Sequence, residues 1–188
     1  MTSTTSPTDA RPITGEELAE LPNLGPCELV LGRIVPMSPA GGEHGRVEAN
    51  FCEAIRSFVR PRRLGKVLVG EVGIFTRRDP DTVRGADVAF ISNERYERLE
   101  SKRGFLKVAP DLVVEVLSPH DSAAEVAQKL REYFAVGVRL VWVADPEAKA
   151  VRAYRSLTDV RELRESDRLS GDDLLPGFEA EVRTLFEE

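Results

Sequence analysis

Two short apolar runs stand out in the pattern of hydrophobic and polar positions. Residues 111–119 read DLVVEVLSP, and residues 139–144 read RLVWVA. Consecutive apolar residues over so short a length are typical of strands that are buried on both faces of a sheet. Between them, apolar positions recur at helical spacing over about 122–136, and Gly137 follows as a natural C-cap. The order of strand, helix and strand predicts a right-handed crossover and a parallel strand pair.

The rest of the pattern adds further elements around this unit. Thr14 and Glu17 have the spacing of a capping box at the start of a helix, and Gly32 allows a turn within the apolar segment 28–37. The pattern also predicts helices over 43–60, which Pro61 ends, and 93–103, and strands over 67–76, 86–91 and 150–154. Hairpin-like neighbours imply antiparallel pairing. The sequence therefore predicts an α/β fold, with a mixed β-sheet flanked by helices.

Composition sets broad limits on this fold. The chain has 188 residues, and we expect a disordered tail over 1–12, rich in Ser, Thr and Pro, followed by a single domain over 13–188. The net charge of −6 argues against a protein that coats nucleic acid non-specifically, although it allows a local basic patch. No segment predicts a membrane span or a secretory signal. We therefore expect a cytoplasmic protein in which Cys27 and Cys52 are reduced thiols.

Glu115 interrupts the first apolar run. An ionised carboxylate among valines is costly unless a partner or a metal compensates it. Asp87 lies in the preceding predicted strand, ADVAFI, and if the two strands are neighbours their carboxylates converge near one end of the sheet. Two carboxylates, together with water and phosphate oxygens, are a usual setting for Mg²⁺. The alternative is structural: Asp87 caps a strand, and Glu115 pairs with an arginine such as Arg131.

Two further side chains bear on the metal hypothesis, and Lys129 favours it. Lys129 lies three residues after Val126 and four before Tyr133, so it sits at the edge of the buried helix face and can reach back over the strand that carries Glu115. Its alternative is a stem that packs on the protein while the ammonium stays in water. His44 lies at the start of the first long helix and points along its buried stripe. A lone histidine there is more often structural than catalytic.

The remaining candidates carry weaker signals. Glu28 and Glu71 could each supply another carboxylate, although an ordinary charge at a strand end is the simpler interpretation. His120 follows Pro119 in a predicted loop and is expected to face solvent. No nucleophile elbow, Walker loop, dinucleotide fingerprint or zinc pattern occurs in the sequence.

These segments together resemble a known bacterial family. ELVLGRIVPMSP is followed by His44 at a helix start, then by ADVAF, PDLVVEVLSP, Lys129 four residues before Tyr133, VGVRLVWVADP and a terminal LPGF. This order is similar to that of the putative restriction endonuclease family of Uma-two type, within the PD-(D/E)XK nuclease superfamily. The resemblance extends from about Thr14 to the C-terminus.

The resemblance implies a restriction-endonuclease-like core and metal-dependent hydrolysis of phosphodiester bonds. It places Asp87 as the aspartate of the PD element and Glu115 as the acidic residue of the second element. The chain departs from the superfamily at Ala86, where proline is common, and at Leu117, where the lysine would fall. In this family the lysine is expected on the following helix, where Lys129 stands.

The resulting hypothesis is a Mg²⁺-dependent endonuclease that acts on DNA, with Mn²⁺ as a possible substitute. Asp87 and Glu115 are the expected metal ligands, Lys129 is the expected electrostatic stabiliser, and His44 and Glu28 are secondary participants. A local basic cluster that could contact backbone phosphates comprises Arg60, Arg62, Arg63 and Lys66. Cleavage of both strands would favour a homodimer. The alternatives are a degenerate nuclease fold that serves as a binding or assembly module, and a hydrolase of another phosphodiester.

Overall fold

The computed structural model describes residues 11–22, 24–119 and 121–188. Its helices are α1 (Gly15–Glu20), α2 (Gly42–Arg62), α3 (Asn93–Glu97) and α4 (Ala123–Ala135), and a 3₁₀ helix spans Val182–Leu185. Its strands are β1 (Cys27–Val30), β2 (Arg33–Pro36), β3 (Gly65–Arg77), β4 (Thr82–Ser92), β5 (Leu112–Val116), β6 (Leu140–Asp145), β7 (Ala150–Tyr154), β8 (Val160–Leu163), β9 (Arg168–Ser170) and β10 (Glu179–Glu181). The predicted tail lies outside the described residues, apart from its last two positions.

Eight of the strands form one mixed sheet. Its order is β2-β1-β4-β5-β6-β7-β8, and β3 pairs with β4 as an additional strand. The pair β5–β6 is parallel and is connected through α4, whereas the other pairs of this sheet are antiparallel. The predicted parallel pair around a helix and the mixed α/β sheet are therefore confirmed. Strands β9 and β10 form a separate two-stranded sheet.

The two long helices cover opposite faces of the sheet. The buried stripe of α2 packs against alternate residues of the central strands, and these contacts form one core with Val47, Phe51, Ile55, Val59, Val114 and Trp142. α4 packs on the other face, where the second core includes Leu130, Tyr133, Val113, Val141 and Val143. Because successive strand residues point to opposite faces, this division directs Glu115 towards the α4 side, with Val113.

Capping boxes fix the starts of two helices, and the sequence predicts the first of them. Thr14 and Glu17 form a capping box at α1, and Ser122 and Glu125 form one at α4. The end of α2 differs slightly from the prediction, because Pro61 lies inside the last turn. The helix stops only where Arg63 adopts a left-handed conformation with φ of 53°.

Two other predicted boundaries are wrong. The helix predicted over 93–103 covers only α3, and the segment after it is irregular up to β5. The charged segment 77–85 is not a long turn, since β3 and β4 pair from Arg77 and Thr82 onwards as a long hairpin. Here cross-strand pairing outweighs the local preference of charged residues for loops. Within the described residues, no helix combines the length and the apolarity that crossing a bilayer requires.

Candidate active site

Strand pairing brings Asp87 and Glu115 to the same place. In the antiparallel pair β4–β5, Val88 lies opposite Val114, so one further step in register sets Asp87 against Glu115. The Asp87 side chain is buried, and its Oδ2 accepts a hydrogen bond from the backbone N–H of Val116 at 2.6 Å. The two carboxylates that the sequence singles out therefore lie together where this strand pairing ends.

Glu115 is bound by two side chains from α4. The Lys129 ammonium donates to Glu115 Oε2 at 2.8 Å, and the Tyr133 hydroxyl donates to Oε1 at 2.5 Å. Tyr133 is fully buried, which fixes the helix over the strand. Arg131, the alternative partner considered from the sequence, is exposed on the other side of α4. The compensating charge for Glu115 in this structure is Lys129.

The charge state of this pair follows from burial and from its neighbours. Burial raises the pKa of Glu115 to about 7, against the opposing effect of Lys129, and the nearby Asp87 raises it further. Burial lowers the pKa of Lys129, but the carboxylates of Glu115 and Glu28 outweigh it, so the net shift is upward. Lys129 is therefore a permanent cation, whereas Glu115 can exchange a proton near neutral pH.

Glu28 supplies a second carboxylate for the same ammonium. It is buried on β1, and its Oε1 lies 3.3 Å from Lys129 Nζ and accepts from the backbone N–H of Gly85 at 3.1 Å. Its Oε2 accepts from Arg84 at 2.7 Å, and Arg84 also forms a bidentate pair with Glu132 on α4. This alternation of charges holds the Lys129 head between Glu28 and Glu115.

His44 reaches the cluster from the opposite face. It lies in the first turn of α2, and its Nε2 is 3.4 Å from Asp87 Oδ2. Hydrogen bonding to Asp87 raises the pKa of His44, although burial opposes the shift. Its Nδ1 is buried and has no hydrogen-bond partner among the protein groups described. A buried polar atom without a partner requires an explanation, and a bound water or substrate group would provide one.

A β-bulge adds a carboxylate that sequence reasoning undervalued. Val69 pairs with Val88 and Val72 pairs with Ala86, so Gly70 and Glu71 together oppose Asp87. Gly70 has φ of 89°, and Glu71 has φ of 52°, a left-handed conformation that is uncommon for a residue with a side chain. Glu71 is thus not the ordinary strand-end charge that was expected. The bulge directs it towards Asp87.

The close approach of Glu71 requires the glycine at position 85. A Cβ built on Gly85 would lie 2.6 Å from Glu71 Oε2, which leaves no room for any side chain there. Glu48, on α2, accepts from the backbone N–H of Gly70 at 3.1 Å and so ties the bulge to the helix. The only sequence signal for this arrangement was the Gly70–Glu71 pair inside a predicted strand.

The structure thus brings together the five predicted site residues: Asp87, Glu115, Lys129, His44 and Glu28. Sequence reasoning did not assign Arg84 to the site, and it treated Tyr133 only as a core residue. Two members of the predicted basic cluster make aromatic contacts. Arg62 stacks on Phe58, and Lys66 faces Tyr96. His120 lies outside the described residues.

The donor set suits a hard divalent cation. Asp87 and Glu115 offer carboxylate oxygens, and a carboxylate has enough lone pairs to accept a hydrogen bond and also bind a metal. Both contacts of Asp87 use Oδ2, so Oδ1 takes part in neither. Among the described residues, no group of three or more His, Cys, Asp or Glu side chains has a geometry that could hold a metal ion. A Mg²⁺ ion here would therefore need water or substrate oxygens for its remaining ligands.

Comparison with known proteins agrees with this architecture. The family model for Uma2, described as a putative restriction endonuclease, matches residues 16–183. A crystal structure of a putative nuclease belonging to DUF820, from Anabaena variabilis, superposes with a TM-score of 0.78; it is 24% identical in sequence, and the match covers 93% of this chain and 98% of that chain. At that identity the likeness shows a shared fold. No curated protein matches the chain. Because the family model spans most of the sequence, the chain belongs to the Uma2 family of putative restriction endonucleases.

Proposed function

We propose that the protein is a divalent-metal-dependent endonuclease that hydrolyses phosphodiester bonds of DNA. The observation that carries the proposal is the contact of 2.8 Å between Lys129 Nζ and Glu115 Oε2, beside Asp87. Two carboxylates and one ammonium, drawn from separate elements and largely withdrawn from solvent, cost folding free energy, and such clusters of perturbed charges are typical of functional sites. Membership in the Uma2 family and the nuclease-like fold support the same activity.

Each residue has a distinct role in this proposal. Asp87 and Glu115 would hold Mg²⁺, or Mn²⁺ in its place, and such an ion would supply Lewis-acid activation of the phosphodiester and of the attacking water. Lys129 places a fixed positive charge where negative charge develops on the phosphate during attack. Glu28 positions the Lys129 ammonium, and His44 orients Asp87 through its Nε2.

The fixed geometry around Glu115 supports this assignment. The Tyr133 hydroxyl and the Lys129 ammonium each bind one of its oxygens, so the carboxylate has a single orientation. Groups that are already oriented need not reorganise during the reaction. This preorganisation is the main source of electrostatic catalysis. Tyr133 is a positioning residue in this scheme, since its hydroxyl contacts Glu115.

The test is cleavage of single-stranded, duplex and branched DNA with Mg²⁺, with Mn²⁺ and with EDTA. We expect cleavage only with a metal, and a Glu115→Gln variant should lose it. Glu147→Gln is a matched control, because it makes the same chemical change in an exposed turn, and it should cleave like the wild type. Metal-independent cleavage, or full activity of Glu115→Gln, would contradict the proposal.

The same assay separates the remaining alternatives. A wild-type protein that binds DNA without cutting any substrate would favour a degenerate nuclease fold that acts as a binding module. Cleavage of both strands of a duplex would favour a homodimer, and sedimentation of the assayed protein would measure its oligomeric state. An RNA arm under the same conditions tests whether DNA is the preferred substrate.

A further inference from the structure

A groove runs along the exposed side of α2, where the helix faces the edge strand β3. Its volume is about 610 Å³, and its lining includes Cys52, Arg56, Ser57, Arg60, Pro61 and Val69. β3 pairs in the sheet only with β4, so its other edge is open along this part of the strand. Val69 is 50% exposed, which is unusual for a large apolar side chain in the middle of a long strand. The groove is therefore an accessible surface with an apolar wall.

The groove lies in line with the candidate active site along α2. His44, Glu48, Cys52, Arg56 and Arg60 follow one another at intervals of four residues, so they form an inclined row along α2. At one end of the row, His44 contacts Asp87 and Glu48 binds the bulge next to Val69. The other end is formed by the two arginines. An extended polymer strand bound at the Asp87 and Glu115 carboxylates could thus continue along α2.

Arg56 and Arg60 differ from most other arginines of the molecule. Both side chains are exposed, and neither forms an ion pair or a hydrogen bond within the described residues. They lie one helical turn apart, with a rise of ~6 Å between them. Although Glu53 also lines the groove and offsets one charge, the two arginines make its far end locally cationic in a chain whose net charge is −6. A free guanidinium is well suited to a bidentate contact with a phosphate.

We propose that this groove binds the phosphodiester backbone of a DNA strand to one side of the scissile bond. Arg56 and Arg60 contact two phosphates of that strand, and Val69 and Pro61 contact the sugars. This inference rests on the proposed function, since it assigns a path for the substrate of the same site. It also replaces the basic cluster predicted from sequence, of which only Arg60 lines the groove.

The test is the binding of fluorescein-labelled 20-nucleotide DNA, single-stranded and duplex, measured by fluorescence anisotropy in EDTA so that no cleavage occurs. We expect Arg56→Gln/Arg60→Gln to bind at least roughly tenfold more weakly than the wild type. The slope of log affinity against log salt should fall by about 1.4 for single strands. Arg62→Gln/Arg63→Gln removes the same charge from the same helix end outside the groove, and it should bind nearly as the wild type does.

The outcomes separate this inference from the proposed function. If the two double variants weaken DNA binding equally, the effect is due to net charge alone and the groove assignment is overturned. A wild-type protein that binds no DNA would also overturn it. If the wild type cleaves DNA while the groove variant binds normally, the groove fails and the endonuclease stands. If the groove variant weakens binding but no metal supports cleavage, the groove stands and the endonuclease fails. Circular dichroism melting of each variant establishes that the fold is intact.

Discussion

Replacing Lys129 by methionine should destabilise the metal-free protein, and increasingly so above pH 7. Methionine keeps most of the apolar stem and removes the ammonium, so Glu115 retains only the Tyr133 hydroxyl as a donor. Breaking a buried ion pair by removing one partner costs about 3–5 kcal/mol. Lys129 is 24% exposed, and Glu28 keeps its contact with Arg84, so we expect the lower end of that range, about 3 kcal/mol at pH 7.

The dependence on pH follows from the pKa of Glu115. Its pKa in the folded wild type is about 7, above the ordinary value of 4.5, so the folded state binds the proton more tightly than the unfolded state. This contribution to stability is complete below pH 4.5 and is lost as pH rises to the folded pKa. In the wild type the loss therefore levels off near pH 7. Without Lys129, which lowers this pKa, the loss continues to higher pH.

The gap in stability between wild type and Lys129→Met should therefore widen between pH 7 and pH 9. One pKa unit corresponds to about 1.36 kcal/mol, so the additional loss over two pH units is at most about 2.7 kcal/mol. Urea unfolding in EDTA at pH 6, 7, 8 and 9 measures this gap. The double variant with Glu115→Gln should show no widening, because it has no carboxyl to titrate. A gap that is constant from pH 7 to pH 9, or additive effects in the double variant, would refute the reasoning.

Three further predictions concern the carboxylates themselves. Glu115→Gln should melt in EDTA at or above the wild-type temperature, because it removes a buried charge while Lys129 keeps Glu28 as an ionic partner. The variant should also lose any rise in melting temperature that Mg²⁺ produces in the wild type. A much lower melting temperature in EDTA would indicate a structural ion pair instead. Asp87→Asn should keep the fold, since the amide oxygen can still accept a hydrogen bond from the Val116 N–H. Calorimetry should show that the Mn²⁺ affinity of this variant is reduced by at least roughly tenfold. Unchanged Mn²⁺ affinity would show that Asp87 is not a metal ligand. Gly85→Ala should weaken Mn²⁺ binding about as much as Glu71→Gln does, because the new Cβ displaces the Glu71 carboxylate, whose negative charge near Asp87 favours a cation at the site. Wild-type affinity in both variants would show that the Glu71 charge does not contribute to metal binding.

The fold could be predicted where local pattern and tertiary packing agree. The two apolar runs predicted β5 and β6, the capping box predicted the start of α1, and the helical spacing of apolar positions predicted α4. The β3–β4 hairpin was underestimated, because its charged segment forms strand only through pairing with a partner strand. The short strands β9 and β10 escaped prediction for the same reason. Their stability comes from each other and from the core beneath Leu169.

The residues of the candidate site also differ in how far local sequence predicts their positions. Glu115 was singled out because the valines around it indicate burial. The free-energy cost of burying its charge can therefore be inferred from residues 111–119 alone. Lys129 was found because helical spacing alone places it beside Tyr133. Glu71 carries no such local mark, since its direction depends on a bulge whose register is fixed by the pairing of β3 with β4 on both sides of Asp87. A charged residue can thus be predicted to join a buried polar cluster when its own neighbours reveal its burial. When a distant strand determines where the side chain points, the sequence shows only an ordinary glutamate.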